Sequence, residues 1–169
     1  YDLVTEQVQL LQKIAVSMGA SLHHVKPHGA LYNMAAKDQA LAQTIAKAVF
    51  DIDSNLLLFG LSGCHSISEA KRCGLKTASE VFADRTYQDN GSLTPRIQPN
   101  ALIPTAEASI QQVLQMIQEK TVTSVNGNPV PIIAETICLH GDGKNALHFA
   151  KIVNAALQQQ HILIKPIAN

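Results

Sequence analysis

The chain has 169 residues, 46% of them hydrophobic and 15% charged, with 13 Lys plus Arg against 13 Asp plus Glu. That composition suits a compact globular domain and excludes a disordered chain. The neutral balance offers no basic surface for nucleic acid or an anionic membrane patch, and no apolar run approaches the ~20 residues that cross a bilayer.

In chain order, Val4, Val8, Leu11, Ile14, Ala15 and Met18 recur at helical spacing, and Gly19 follows as a C-cap. The same stretch carries no basic-then-apolar secretory pattern, so the cytoplasm is the expected compartment. Leu22 to Lys26 reads as a short strand that Pro27 ends. Ala35 to Phe50 reads as a helix with Leu41, Ile45, Ala48 and Val49 on one face. Asn55 to Gly60 is a short apolar run of the kind a buried parallel strand needs. Ser66 to Cys73 predicts a helix stopped by Gly74, and Lys76 to Phe82 a strand.

Ala83 to Ile103 holds Asp89-Asn90-Gly91, Thr94-Pro95 and Gln98-Pro99-Asn100, the signature of a long loop that could serve as a lid or binding loop. Glu107 to Lys120 predicts a helix capped near Thr105, with Ile110, Val113, Leu114 and Ile117 facing the core. Asn126-Gly127 marks a hairpin within Thr121 to Val130. Ile132 to His140 reads as a strand, Lys144 to Gln159 as a helix, and Ile162 to Ile164 as a closing strand. The alternation of helix and strand predicts one α/β domain over residues 1–169 with a mostly parallel sheet. Cys64, Cys73 and Cys138 form neither a disulfide framework nor a metal knuckle and read as inert thiols.

Parallel α/β folds bind ligands beyond the carboxyl ends of their strands. Three such ends here carry ionisable residues. The first supplies Lys26, His28, Tyr32 and Asn33; the second Glu80, Asp84 and Arg85; the third His140, Gly141, Asp142 and Gly143. Together they offer two histidines, up to three carboxylates and two cations, an inventory for acid/base chemistry on a small anion. Blander readings stand beside it. Asp142 can be a helix N-cap, Asp84 can pair with Arg85 or Arg96, and Asn33 can end a turn. His23, His24, His65, His148 and His161 read as structural or surface residues. A Cys64–His65 nucleophile pair and a metal site from His28, His140 and Asp142 are the remaining options. The residues alone thus point to a hydrolase or lyase acting on a small molecule and leave the substrate open.

Val25-Lys26-Pro27-His28-Gly29-Ala30-Leu31-Tyr32-Asn33 resembles the hallmark of the LamB/YcsF family. Glu80-Val81-Phe82-Ala83-Asp84-Arg85, with Tyr87, Gly91, Leu93 and Arg96, is similar to a second family block, and Ile137 to Asp142 to a third. The resemblance implies an irregular (β/α) barrel of about seven strands, of the glycoside hydrolase/deacetylase type, where the usual closed form has eight. Family members usually begin with further strands carrying an acidic motif and two His motifs, so the expectation is that this chain holds only part of the barrel.

The implied activity is ATP-dependent opening of 5-oxoproline to L-glutamate with two partner subunits. ATP and Mg²⁺ are then the cofactors, handled in part by those partners, since no Walker-type Gly-Lys-Ser/Thr motif is present. On this reading Glu80, His28, Asp142 and His140 are the catalytic candidates. Lys26, Arg85, Tyr32, Asn33 and Asp84 contact substrate, with Lys26 or Arg85 holding its carboxylate or a phosphate. No resident metal is assigned. The alternatives are an ATP-independent, metal-dependent C–N hydrolase or deacetylase, and a non-catalytic substrate-binding subunit.

Overall fold

Hydrophobic period and turn residues set the elements seen in the computed structural model, which describes residues 1–142 and 146–167. The helices are α1 (Asp2–Ser17), α2 (Gly29–Lys37), α3 (Gln39–Ile52), α4 (His65–Arg72), α5 (Ala106–Gln118) and α6 (Ala146–Gln159). The strands are β1 (His24–Val25), β2 (Leu57–Leu61), β3 (Thr77–Phe82), β4 (Thr121–Thr123), β5 (Pro129–Pro131) and β6 (Thr136–Cys138). The architecture is α/β, as expected. The chain divides into two compact units, Tyr1–Ser79 and Glu80–Ile167, and β3 runs from one into the other.

In the first unit, β1 pairs parallel with β2, His24 opposite Leu57 and Val25 opposite Leu58. Leu58 N–H also donates to Lys76 O at 3.0 Å. Val8, Ala35, Ile45, Val49, Leu56, Leu58, Ala70 and Leu75 form the core. β2 is buried along almost its whole length, which suits its unbroken apolar run. The single helix expected over Ala35 to Phe50 is two. Asp38 takes an extended conformation, ends α2, and its carboxylate caps α3 by accepting from Leu41 N–H at 3.0 Å. The helix expected from the apolar spacing before Gly19 forms as α1. Val8 is buried and Val4 packs against the core, but Leu11, Ile14 and Met18 are exposed.

In the second unit, the last three residues of β3 pair parallel with β6, Glu80 opposite Thr136 and Phe82 opposite Cys138. β4 and β5 form the expected antiparallel hairpin around Gly127, whose φ of +83° suits glycine. Thr105 caps α5 by accepting from Ala108 N–H at 3.2 Å. Val113, Val153, Leu157 and Ala83 make the core, with Ile110, Leu114 and Ile117 packed on it. The expected strand Ile132 to His140 shrinks to Thr136–Cys138. Ile162 to Ile164 forms no strand; Ile162 N–H instead closes α6 by donating to Leu157 O at 2.9 Å. Lys144 and Gly143 lie outside the described residues. Among the described residues no helix is long and apolar enough to cross a membrane.

The loop from Ala83 to Ile103 is packed rather than lid-like. Tyr87, Leu93, Thr94 and Ala101 are buried in it. Two antiparallel bridges, Arg85–Leu102 and Tyr87–Leu93, fold it back on itself. Its outer edge joins the hairpin through Val125 N–H to Tyr87 O at 2.8 Å and through Asp89, which accepts from Ser124 and Asn126.

Candidate active site

The second unit gathers its chemistry where β3 and β6 end. The backbone just past β3 is held from one side by α5. Ser109 Oγ donates to Ala83 O at 2.7 Å, and Gln112 Nε2 donates to both Phe82 O and Arg85 O at 2.9 Å. Tyr87 Oη accepts from Phe82 N–H at 2.8 Å. Burial pushes the Tyr87 phenol far up, so it stays protonated. Ala83 N–H donates to Cys138 O, and Ile103 N–H to Asp84 O. Every peptide flanking Asp84 is thus fixed.

Asp84 then meets His140. One carboxylate oxygen, Oδ2, accepts from His140 backbone N–H at 3.0 Å and lies 2.8 Å from His140 Nδ1. An ionised carboxylate only accepts, so this contact favours the tautomer with the proton on Nδ1, in which Nε2 is an acceptor. Phe82 stacks on the imidazole, centroids 5.6 Å apart and planes 23° from parallel. Asp84 Oδ1 is buried without a hydrogen-bond partner among the described residues. An orphaned carboxylate oxygen beside an oriented histidine makes this pair the candidate site of the second unit.

These side chains line a cavity of about 330 Å³. Asp84, His140, Arg96 and Asp142 supply its polar wall, and Leu102, Ile103, Pro104 and Phe149 its apolar one. That volume is at the lower end for small-molecule sites. A larger cleft of about 560 Å³, between β6, α6 and Ile162–Ile167, is mostly apolar and has Glu135 and Lys165 as its ionisable lining residues.

Arg85 does not face a ligand as expected. Its guanidinium is buried and donates to Ala101 O through Nε at 3.2 Å and to Thr94 O through Nη2 at 2.6 Å. Burial, then the charge of Arg96, lowers its pKa. Asp84 pairs with neither arginine. Arg96 instead lies 3.9 Å from Asp142, whose role as a helix cap rests on residues outside those described. Glu80 is buried in β3. Sequence reasoning missed Ser109 and Gln112; their signal is polar residues three apart beside the apolar face of α5.

The first unit holds the other candidates. Lys26 Nζ lies 5.9 Å from the centroid of the buried Tyr32 ring. His28 is exposed at the N-cap of α2 and makes no side-chain cap bond. Asn33 donates to Gly29 O at 3.0 Å within α2, so it ends no turn. His24 stacks on Phe59 with centroids 4.3 Å apart. Cys64 is the N-cap and His65 the first residue of α4. Among the described residues no three His, Cys, Asp or Glu side chains cluster as a metal ion requires.

A parallel α/β chain with an Asp–His pair at its strand ends defines a structural class: α/β proteins with a polar site at the carboxyl edge of a sheet. Within it, the LamB/YcsF family model matches residues 1–169, and the chain belongs to that family. It is 59% identical over 165 residues to the 5-oxoprolinase A subunit of Tolumonas auensis, covering 98% of this chain and 66% of that protein. The like-named protein of Shouchella clausii is 55% identical, with 98% and 65% covered. Among solved structures, the lactam utilization protein of Thermus thermophilus superposes with a TM-score of 0.87 at 36% identity, covering 97% of this chain and 65% of that one. The chain therefore spans just under two thirds of the length of these relatives.

Proposed function

We propose that this chain is part of a subunit of an ATP-dependent 5-oxoprolinase, which opens the lactam of 5-oxoproline to L-glutamate. The observation that carries the proposal is the Asp84–His140 pair on the wall of a cavity sized for a small ring. The names of the relatives supply the substrate class.

Lactam opening needs water to add to the carbonyl carbon and the ring nitrogen to leave with a proton. His140 Nε2 takes the proton from the attacking water, and the imidazolium so formed returns it to the departing nitrogen. Asp84 holds the ring in the right tautomer and stabilises the imidazolium. The apolar wall from Leu102 to Pro104 and Phe149 packs on the ring methylenes. An amide is a poor electrophile, and ATP with Mg²⁺, when bound, would supply the activation, ending as ADP and phosphate when the ring is open. The described residues of this cavity fit the proton-transfer half; the phosphate-handling half belongs in part to the two partner subunits, because the sequence has no Walker-type loop. Lys26, Tyr32 and Asn33 stay candidates for substrate contact at the end of β1, Glu80 for proton handling, and His28, exposed at an N-cap, for a smaller part in it.

The test is glutamate and ADP formation from 5-oxoproline and ATP by the full-length protein with its partner subunits. Coupled production that vanishes when this protein is omitted supports the reading. Glutamate without ADP moves it to an ATP-independent hydrolase, and well-folded components that produce neither overturn it. In the same assay, full activity of Glu80→Gln and His28→Ala removes those two residues from the mechanism.

A further inference from the structure

The expected anion-holding residue of the second unit, Arg85, is occupied by loop carbonyls, yet the cavity still presents a cation. Arg96 lines it, and its side chain is 54% exposed. Its ion-pair partner, Asp142 Oδ2, stands at 3.9 Å on a side chain that is 75% exposed. That distance is too long for a hydrogen bond, and water screens the pair, so a ligand carboxylate can take its place.

The backbone beneath Arg96 is nevertheless rigid. Thr94 is fully buried, donates N–H to Thr86 O at 3.0 Å and receives Arg85 at its carbonyl. Pro95 fixes its own φ, and its carbonyl accepts from Gln98 N–H at 2.9 Å. Arg96 is therefore an exposed guanidinium on a fixed turn. A fork of this kind matches a carboxylate with two parallel hydrogen bonds. His140 and Asp84 line the same cavity, as do the apolar Leu102, Ile103, Pro104 and Phe149. The charge of Arg96 also bears on buried Arg85, and a bound anion relieves that crowding of cations.

We propose that Arg96 reads the substrate's carboxylate, so that the cavity selects small anionic rings over their neutral analogues. Asp142 is then a competitor that the substrate displaces from Arg96. The inference rests on the 5-oxoprolinase reading for the identity of the ring, but not for the binding of a carboxylate.

The experiment uses the full-length protein with its partner subunits, comparing the wild type, Arg96→Gln and Arg96→Lys on 5-oxoproline and on neutral 2-pyrrolidone. Each protein alone is also followed by thermal shift with either lactam. Loss of a charge-assisted bidentate contact is expected to raise KM for 5-oxoproline by about 10- to 100-fold in Arg96→Gln, more than kcat falls. The preference over 2-pyrrolidone should shrink by the same factor, and Arg96→Lys should recover part of it.

An unchanged KM, or an equal loss on both lactams, overturns the role of Arg96 while leaving the oxoprolinase reading intact. No turnover by the complex, together with Arg96-dependent stabilisation by 5-oxoproline alone, sinks the oxoprolinase reading and keeps the carboxylate site. Neither turnover nor stabilisation overturns both. Circular dichroism of each variant separates these outcomes from misfolding.

Discussion

The ends of β1 and β3 treat their conspicuous residues in opposite ways. Past β1, nine consecutive residues carry the strongest family likeness, yet they run straight into α2: His28 is its exposed N-cap and Asn33 bonds within it. Past β3, Asp84 is one of several strand-end carboxylates in the sequence, but it meets His140, 56 positions later, through two contacts to one oxygen. Density of motif along the chain reports what is shared in a family. Convergence across the chain reports where protons can be moved.

The largest test of that contrast is chemical. Asp84→Asn keeps the shape but replaces an acceptor with an amide that cannot hold Nδ1–H in the same way. It is expected to lower kcat by about 10³- to 10⁴-fold. His28→Ala, at an exposed N-cap, is expected to lower it by less than about tenfold, below the usual range for a general acid or base. The comparison breaks if the two losses are alike, or reversed, in proteins with unchanged circular dichroism.

The second test separates packing from chemistry. Gly60 lies in β2 where a Cβ would come within 2.9 Å of Ser66 Cβ on α4. Gly60→Ala should therefore cost about 1–3 kcal/mol in urea unfolding through overpacking, with little change in kcat of the folded fraction. Ser109→Ala removes the 2.7 Å bond to Ala83 O beside Asp84. It should cost about 1–2 kcal/mol, since a buried carbonyl loses its donor, and it should lower kcat as well. Equal kcat in both variants would mean that α5 does not position Asp84.

Acid sensitivity comes next. Bonds from Ser124, then Asn126 and Asn128, hold the Asp89 carboxyl below its ordinary value. A depressed folded pKa gives stability that is present above the unfolded value of about 3.9 and is lost as pH falls through the folded one. Urea midpoints measured from pH 6 down to 2 should drop over that window, and Asp89→Asn should flatten the part of the drop that belongs to the loop–hairpin contact. An unchanged acid limb would remove Asp89 from it.

The sequence makes some of this plain and hides the rest for physical reasons. The periodic faces of α3 and α5 place Ile45, Val49 and Val113 in the two cores, because burial imposes the period. The Asn126-Gly127 hairpin and the Thr105 cap are local, and local chemistry determines them. The break at Asp38 is harder to see, since Ala-rich sequence continues on both sides and one capping carboxylate makes the difference. The Ala83–Ile103 segment reads as loop from its turn residues, which do not reveal that Arg85 ties Thr94 and Ala101 together. Nor can spacing alone decide that Asp84 chooses His140 over either arginine. Of the candidate site, the residue types at the strand ends were legible; their partners, set by long-range packing, were not.

The smallest expected effect concerns how helices stop. α1 and α4 end with Gly19 and Gly74 at positive φ, with the paired bonds Ala20 N–H to Ala15 O and Gly19 N–H to Val16 O, and Leu75 N–H to Ala70 O and Gly74 N–H to Lys71 O. α6 ends by the same two-bond pattern, Ile162 N–H to Leu157 O and His161 N–H to Gln158 O, but a histidine holds the left-handed position at φ 57°. A side chain there crowds its own carbonyl, whereas glycine does not. Glycine also loosens the unfolded chain, which offsets part of the gain. His161→Gly should therefore stabilise by only about 0.5–1 kcal/mol. Gly74→Ala should destabilise by about 1 kcal/mol, because its Cβ would meet only Phe50 at an ordinary 3.6 Å and backbone strain alone decides the sign. If His161→Gly is instead destabilising, the imidazole of this exposed histidine has a contact that outweighs the strain, and α6 is held by its end rather than despite it.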